Sequence, residues 1–396
     1  MARKAEKLQF QTTSRSGPEF RTWFRGEHVN ALPHDRHLFR AGGPERYVLQ
    51  GWTPESPVID ARTQVTAFGS CFAANISNWL ARRNYTVLNK AEDAGKSYVV
   101  ACGEGMVNSF VILQQFEWAW EGKTWEQPLW HGYDAATYGY DPEVQAGTRR
   151  MFDTTDVFIL TFGLSEIWYD EPTGAVFWRT IPKDVYDPSR HKFRVSTVEE
   201  NKANLRRIHQ LIRKHRPEAK IVFTLSPIPL QATFRPNSCI TSNAVSKSVL
   251  RVAIDEIVRE LGPEGALHYW PSYELVTDLF AGCMKHDRRH PEDAVLDYIM
   301  MLFERAWCRD SALTEAEMTG GFLRAGSASG LFPELLGRVV EGRRARRLRK
   351  ILERETLVEE PSADRALKAM LEGLLAAWTS DSATDSPEIA ENPAES

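Results

Sequence analysis

Two short segments far apart in the chain carry residue types that together could do nucleophilic chemistry. The first is Phe68-Gly69-Ser70-Cys71-Phe72-Ala73, where an apolar run stops at a glycine and a serine. The second is Lys285-His286-Asp287-Arg288-Arg289-His290-Pro291, which contains Asp-x-x-His. A serine hydroxyl is a poor nucleophile until a neighbouring base takes its proton. In a tight turn, a carboxylate three residues before a histidine reaches Nδ1 of the ring, fixes the tautomer and leaves Nε2 free to accept that proton. Each segment alone has an ordinary explanation. Serine at such a junction most often caps the helix that follows, and a surface histidine near an aspartate is usually just solvated. His286 reads as such a solvated neighbour, and Cys71 as a small buried filler rather than a rival thiol.

The elements around these segments decide whether they meet. Val65-Thr66-Ala67-Phe68 reads as a buried strand, and Phe72, Ile76, Trp79 and Leu80 have helical spacing over 72–84. That junction puts the Ser70 hydroxyl at the carboxyl edge of a sheet and at a helix N-terminus, where negative charge is stabilised. Further along, the pattern predicts a strand over 85–88, a helix over 106–120 and a continuous apolar strand over 156–162. A hairpin pairing 167–169 with 176–178 around Glu171-Pro-Thr-Gly174 follows. Ser196 and Glu199 form a capping box for a helix over 197–215, which stops before Pro217. Strand 221–225, helix 243–261 closed by Gly262, strand 267–270 and helix 292–308 complete the series.

This alternation predicts an α/β fold: three layers, α/β/α, around a mainly parallel sheet, with the site at the strands' carboxyl ends. Residues 1–60 read as an extension docked through Trp23, Phe24, Leu38, Phe39, Tyr47, Val48 and Leu49. The α/β domain covers 61–310, a helical region 311–378, and an acidic, Ser- and Pro-rich tail 379–396 is expected to be disordered.

At 396 residues, 42% apolar and 26% charged, the chain is long enough for a substantial core. The net charge is −4, but the tail holds five acids and no base, so the rest is close to neutral. That argues against a nucleic-acid partner. Five scattered cysteines without a CxxC pair, no signal-peptide core and no apolar run of spanning length predict a cytoplasmic protein without a membrane span. His34-Asp35-Arg36-His37 offers too few ligands for a metal. Nucleotide-binding and zinc-protease motifs are absent, and no cofactor is expected. The basic run Arg343 to Lys350 reads as a solvated helix face, with phosphate or acidic lipid as the sharper alternative. The oligomeric state is not legible.

The order Gly-Ser early and Asp-x-x-His late resembles the SGNH/GDSL hydrolase superfamily, with its flavodoxin-like core. More closely, Gly69-Ser70-Cys71-Phe72-Ala73 is similar to the signature of the GSCFA family. Leu113-Gln-Gln-Phe-Glu-Trp118, Thr161-Phe-Gly-Leu-Ser-Glu-Ile-Trp168, Thr224-Leu-Ser-Pro-Ile-Pro229, Tyr269-Trp-Pro-Ser-Tyr-Glu274 and Asp287-x-x-His290-Pro291 resemble further blocks of it. The resemblance covers roughly 60–305. It implies Ser70 as nucleophile, His290 as base and Asp287 as its orienting partner, with an oxyanion site at the backbone N–H groups of Ser70 and Gly105.

SGNH enzymes usually add an Asn from a Gly-x-Asn block, whereas Gly163-Leu164-Ser165-Glu166 puts Ser165 in that place. Losing one oxyanion donor costs about 3 kcal/mol, so Ser165, Glu166 or Asn108 must compensate, or turnover is slow, or the true substrate differs. The implied activity is a serine esterase acting on a small-molecule or saccharide ester; Trp168, Trp178, Trp270 and Tyr273 are compatible with sugar stacking and equally with core packing. Acyl transfer by the same triad, or a non-catalytic glycan- or protein-binding role on the same fold, are the alternatives.

Overall fold

Alternating apolar residues on four parallel strands build the centre of the molecule. The computed structural model describes residues 8–14, 17–23, 30, 32–33, 38, 42–90 and 97–329. In chain order its elements begin with an antiparallel hairpin, β1 (Leu8–Ser14) and β2 (Gly17–Trp23). Then come β3 (Val65–Phe68), α1 (Cys71–Arg82), α2 (Tyr98–Cys102) and α3 (Ser109–Glu121). A small pair, β4 (Trp130–His131) and β5 (Thr137–Tyr138), precedes α4 (Pro142–Thr154), β6 (Val157–Phe162), β7 (Glu166–Asp170) and β8 (His191–Val195). The chain continues through α5 (Val198–His215), β9 (Lys220–Leu225), α6 (Cys239–Leu261), β10 (Leu267–Trp270), α7 (Asp293–Trp307) and α8 (Glu315–Ala328).

The central sheet has the order β10-β9-β6-β3, all parallel. A parallel bridge from Val87 to Val65 adds a fifth position outside β3. In chain order this is 2-1-3-4-5, the doubly wound arrangement whose switch point lies beside the first strand. Side chains alternate between the faces. Phe68, Phe158, Leu160, Phe162, Ile221 and Phe223 pack with α3, α5 and α6, while Val65, Ala67, Val157, Ile159 and Val222 pack with α1, α7 and α8. Three layers result, as the alternation predicts. Each large apolar side chain fully buried in them contributes about 1.5–3 kcal/mol.

The ends of the α/β region are tied together. Val58 and Ile59 donate backbone N–H to Trp307 O, and Arg309 N–H returns to Ile59 O. Leu49 and Ile59 before residue 61, and Met318, Phe322 and Ala325 after 310, belong to the same core face as α7. Among the described helices none is long and apolar enough to cross a membrane. Phe24, Phe39, the His34–His37 segment, the basic run 343–350 and the tail 379–396 lie outside the described residues.

Several local expectations shift. The strand over 85–88 reduces to one bridge at Val87, because Leu88–Lys90 turns to let Asn89 bond both backbone groups of Ala67. β7 pairs along its length with β8 rather than with 176–178, which makes only a single bridge, Tyr169 to Val176. Trp178 is drawn instead into an aromatic core, stacked on Trp130. The capping box on α5 is Thr197 with Glu200, one residue later than expected, since the Ser196 hydroxyl goes to Ser165 O. Gly262 keeps a helical φ, and the left-handed turn falls on Gly265 at +76°. α4, opened by Asp141 as N-cap and Pro142 in the first turn, is an element the pattern did not reveal.

Candidate active site

β3 delivers its last residue, Phe68, into a turn with almost no room. Gly69 has φ +131°, and a Cβ there would sit 2.1 Å from Thr161 O on the neighbouring strand β6. Its N–H donates to Gly103 O at 2.9 Å. Only glycine fits both the conformation and the approach. Ser70 follows as the N-cap of α1, its Oγ accepting from Phe72 N–H at 3.2 Å. So the capping role is real, and it fixes the oxygen rather than occupying the hydroxyl proton. Ser70 is 3% exposed and lines a cavity of about 30 Å³ with Phe68, Asn89, Gly103 and Glu104, space for a water or two.

Two more strand-end loops are laced to this turn. Val107 O accepts from Gly163 N–H at 2.7 Å and Leu164 N–H at 3.3 Å, joining the segment after Gly105 to the end of β6. Gly105 is buried in a one-turn 3₁₀ segment. Asn108 is buried and caps α3, its Oδ1 accepting from Val111 N–H at 3.0 Å. That use leaves the Asn108 amide N–H groups with no hydrogen bond among the described residues.

Ser165 is fully buried. Its N–H donates to Ser246 Oγ at 2.8 Å and its own hydroxyl points to the same atom. Glu166 accepts from Thr233 Oγ1 at 2.8 and 2.9 Å, pinning the segment after β9. Trp178 and Trp270 are buried core residues, so neither offers a face to a sugar. Of the four aromatics, Trp168 and Tyr273 are only partly buried.

A residue not foreseen holds this edge from below. Lys247 on α6 is buried, and its Nζ donates to Gly163 O, Ser226 O and Ile228 O, each at 2.7 Å. Burial brings the amine down to about 7. Three carbonyl acceptors match the three donors of an ammonium. The signal was a lysine on the apolar stripe of Leu250, Ile254 and Ile257.

The Asp287–His290 pair sits on a loop between β10 and α7, on the carboxyl side of the sheet. The loop closes itself: Met284 bridges Pro291, Lys285 N–H donates to His290 O at 2.7 Å, and Arg288 adopts φ +57°. Asp287 Oδ1 accepts the backbone N–H groups of Arg289 (2.9 Å) and His290 (3.0 Å), while Oδ2 lies 2.5 Å from His290 Nδ1. The His290 contact, followed by those N–H groups, holds the Asp287 carboxyl well below the usual carboxylate range.

With Nδ1 engaged, Nε2 is the nitrogen left for proton transfer. Among the described residues no hydrogen bond joins Ser70 to His290. The loops are electrically in touch, since the Arg289 charge acts on the Cys71 thiol beside Ser70. Burial outweighs it and pushes that thiol up, which disfavours a thiolate nucleophile. No three His, Cys, Asp or Glu side chains gather as a metal site among the described residues.

The structure thus holds a buried serine hydroxyl at the carboxyl edge of the sheet and, on the loop between β10 and α7, an imidazole oriented by Asp287. No curated protein matches the chain. Residues 64–303 match the GSCFA family, a span that contains Ser70, Gly105, Asn108, Asp287 and His290. That span is well over half of the sequence, and the chain belongs to the GSCFA family.

Proposed function

We propose that this protein is a serine esterase with an SGNH-type triad, acting on an acyl ester. The observation that carries the reading is the 2.5 Å contact from Asp287 to His290 Nδ1, on a loop at the sheet edge that bears Ser70. Ser70 Oγ attacks the ester carbonyl as His290 Nε2 takes its proton. The tetrahedral oxyanion is received by the backbone N–H groups of Ser70 and Gly105. The imidazolium then protonates the leaving alcohol, and the acyl-enzyme passes to water. The amide of Asn108 serves as the third donor in this reading, because its N–H groups are otherwise without a hydrogen bond among the described residues, the hydroxyl of Ser165 is engaged with Ser246 and Glu166 holds Thr233. Substrate binding closes the remaining Ser70–His290 distance, as catalytic contacts commonly tighten only in the complex.

An O-acylated saccharide is the substrate favoured by analogy with related hydrolases. Passage of the acyl group to an acceptor hydroxyl uses the same triad, and product analysis with and without a saccharide acceptor separates the two outcomes. A fluorophosphonate probe tests the core of the proposal: it should label the wild type and fail on Ser70→Ala. A folded wild type that stays unlabelled would leave a glycan- or protein-binding module as the better reading.

A further inference from the structure

We infer that Arg179 forms a subsite for an anionic group of the substrate, a carboxylate or a phosphate, beside the Ser70 cavity. The identity of the substrate as an ester rests on the function proposed above, while anion binding itself does not. Arg179 follows Trp178, which is fixed by its stack on Trp130 and by a backbone bond to Leu129 O. Its guanidinium lies flush against Gly105. A Cβ on that glycine would fall 1.8 Å from Nη2 and 2.6 Å from Nε. These two atoms form the edge that grips a carboxylate or phosphate in two parallel hydrogen bonds. Here that edge faces the Gly103–Gly105 turn, and Gly103 and Glu104 of the turn also wall the cavity of Ser70.

Both Nε and Nη2 are sealed from solvent, with no hydrogen-bond partner among the described residues. No Asp or Glu among the described residues makes an ion pair with Arg179. Other arginines contrast with it: Arg194 is gripped by Glu200 and Arg206 by Glu260, each through more than one bond. Buried donors without acceptors are costly and rare, and each calls for a missing partner. An anion is the partner that fits a planar cation.

The cover over this cation is removable. The Tyr133 ring lies 3.4 Å from the guanidinium carbon, on the loop joining β4 to β5, and Tyr133 is 69% exposed. Displacing an exposed ring at a loop tip frees the guanidinium to swing its Nε–Nη2 edge off Gly105 and onto an anion. Glu104 is the acid on the same turn. It is exposed and makes no ion pair with Arg179.

Titration of Ser70→Ala protein, which binds without turnover, tests the site directly. Tryptophan fluorescence would report saturable binding of inorganic phosphate or of acetate, and the stronger of the two names the group. Substituting Arg179→Gln should weaken that binding about ten- to a hundredfold, the worth of a charge-assisted hydrogen bond. Equal curves for the two proteins, or no saturable response to either anion, overturn the subsite. Active enzyme gives a second reading with matched nitrophenyl esters, one neutral acetate and one hemiglutarate. The anionic-to-neutral ratio of kcat/KM should fall about tenfold in Arg179→Gln and recover in part in Arg179→Lys. A uniform fall on both esters instead assigns Arg179 to the oxyanion and also overturns the subsite. Should Arg179→Gln not fold, Arg179→Lys carries both comparisons. Failure of fluorophosphonate labelling removes the esterase reading and leaves the titration result standing.

Discussion

The turn that holds Ser70 and the loop that holds His290 are built on opposite plans. Ser70 is almost wholly buried, and its place is set by long-range contacts: Gly69 against Thr161 on the next strand, and Gly69 N–H on Gly103 O. Asp287 and His290 are about half exposed, at 47% and 44%, and their bonds run within residues 284–291. The position of Ser70 is therefore a property of the whole sheet, whereas His290 is oriented by eight consecutive residues. Damage to the first should appear as lost stability, and damage to the second as lost rate at constant stability.

Substituting Gly69→Ala strikes the sheet-dependent side hardest. A methyl 2.1 Å from a carbonyl oxygen, at φ +131°, should cost about 4 kcal/mol or more, seen as a large fall in Tm or no soluble protein. A normal Tm would break the comparison. Asp287→Asn should lower kcat/KM on the order of a thousandfold by disordering the ring tautomer while leaving Tm within a degree or two. Because the Asp287 carboxyl is held well below its usual range, it stays ionised as pH falls through the imidazole range. The acid limb of kcat/KM should thus vanish in His290→Ala and persist in Asp287→Asn.

Lys247→Met should cost about 3 kcal/mol, since it strands three buried carbonyls at the strand ends. The folded amine sits at about 7, and the unfolded one near 10.4. The unfolded chain therefore binds more protons between those values, so this group's contribution to stability rises with pH across that window and is lost as pH falls to 7. Chemical denaturation of wild type and Lys247→Met at both ends of the window reads the difference. Ser165→Ala is the mildest, at about 1 kcal/mol of stability, with kcat unchanged if Asn108 is the third donor. A hundredfold loss of kcat would return that role to Ser165.

Local pattern revealed most of what depends on local pattern. The strand-turn-helix at Ser70 and the reach of Asp287 to its histidine both follow from short spacing, and both are present. Choices between near-equivalent partners were not legible. Ser196 and Thr197 each have a glutamate three residues on, and only the buried contact from Ser196 to Ser165 O decides which one caps α5. β7 could pair with either of two later segments. The outcome turns on Trp178 joining Trp130 and on Arg190 reaching Asp170 at 2.8 Å, contacts between residues far apart in sequence. Arg179 carried no motif at all; its significance comes from a glycine 74 positions earlier.

The bonds that lace the strand ends, Gly69 N–H to Gly103 O and Gly163 N–H to Val107 O, use main-chain atoms alone. They belong to no side chain, so substitution of the residues facing the cavity leaves them in place. The frame of the site is therefore heritable separately from its chemistry. A descendant that exchanged Ser70, Asn108 or Arg179 would keep the same scaffold on which to acquire a different reaction. In amide exchange these loop N–H groups should keep pace with the sheet they terminate, outlasting ordinary surface loops by orders of magnitude.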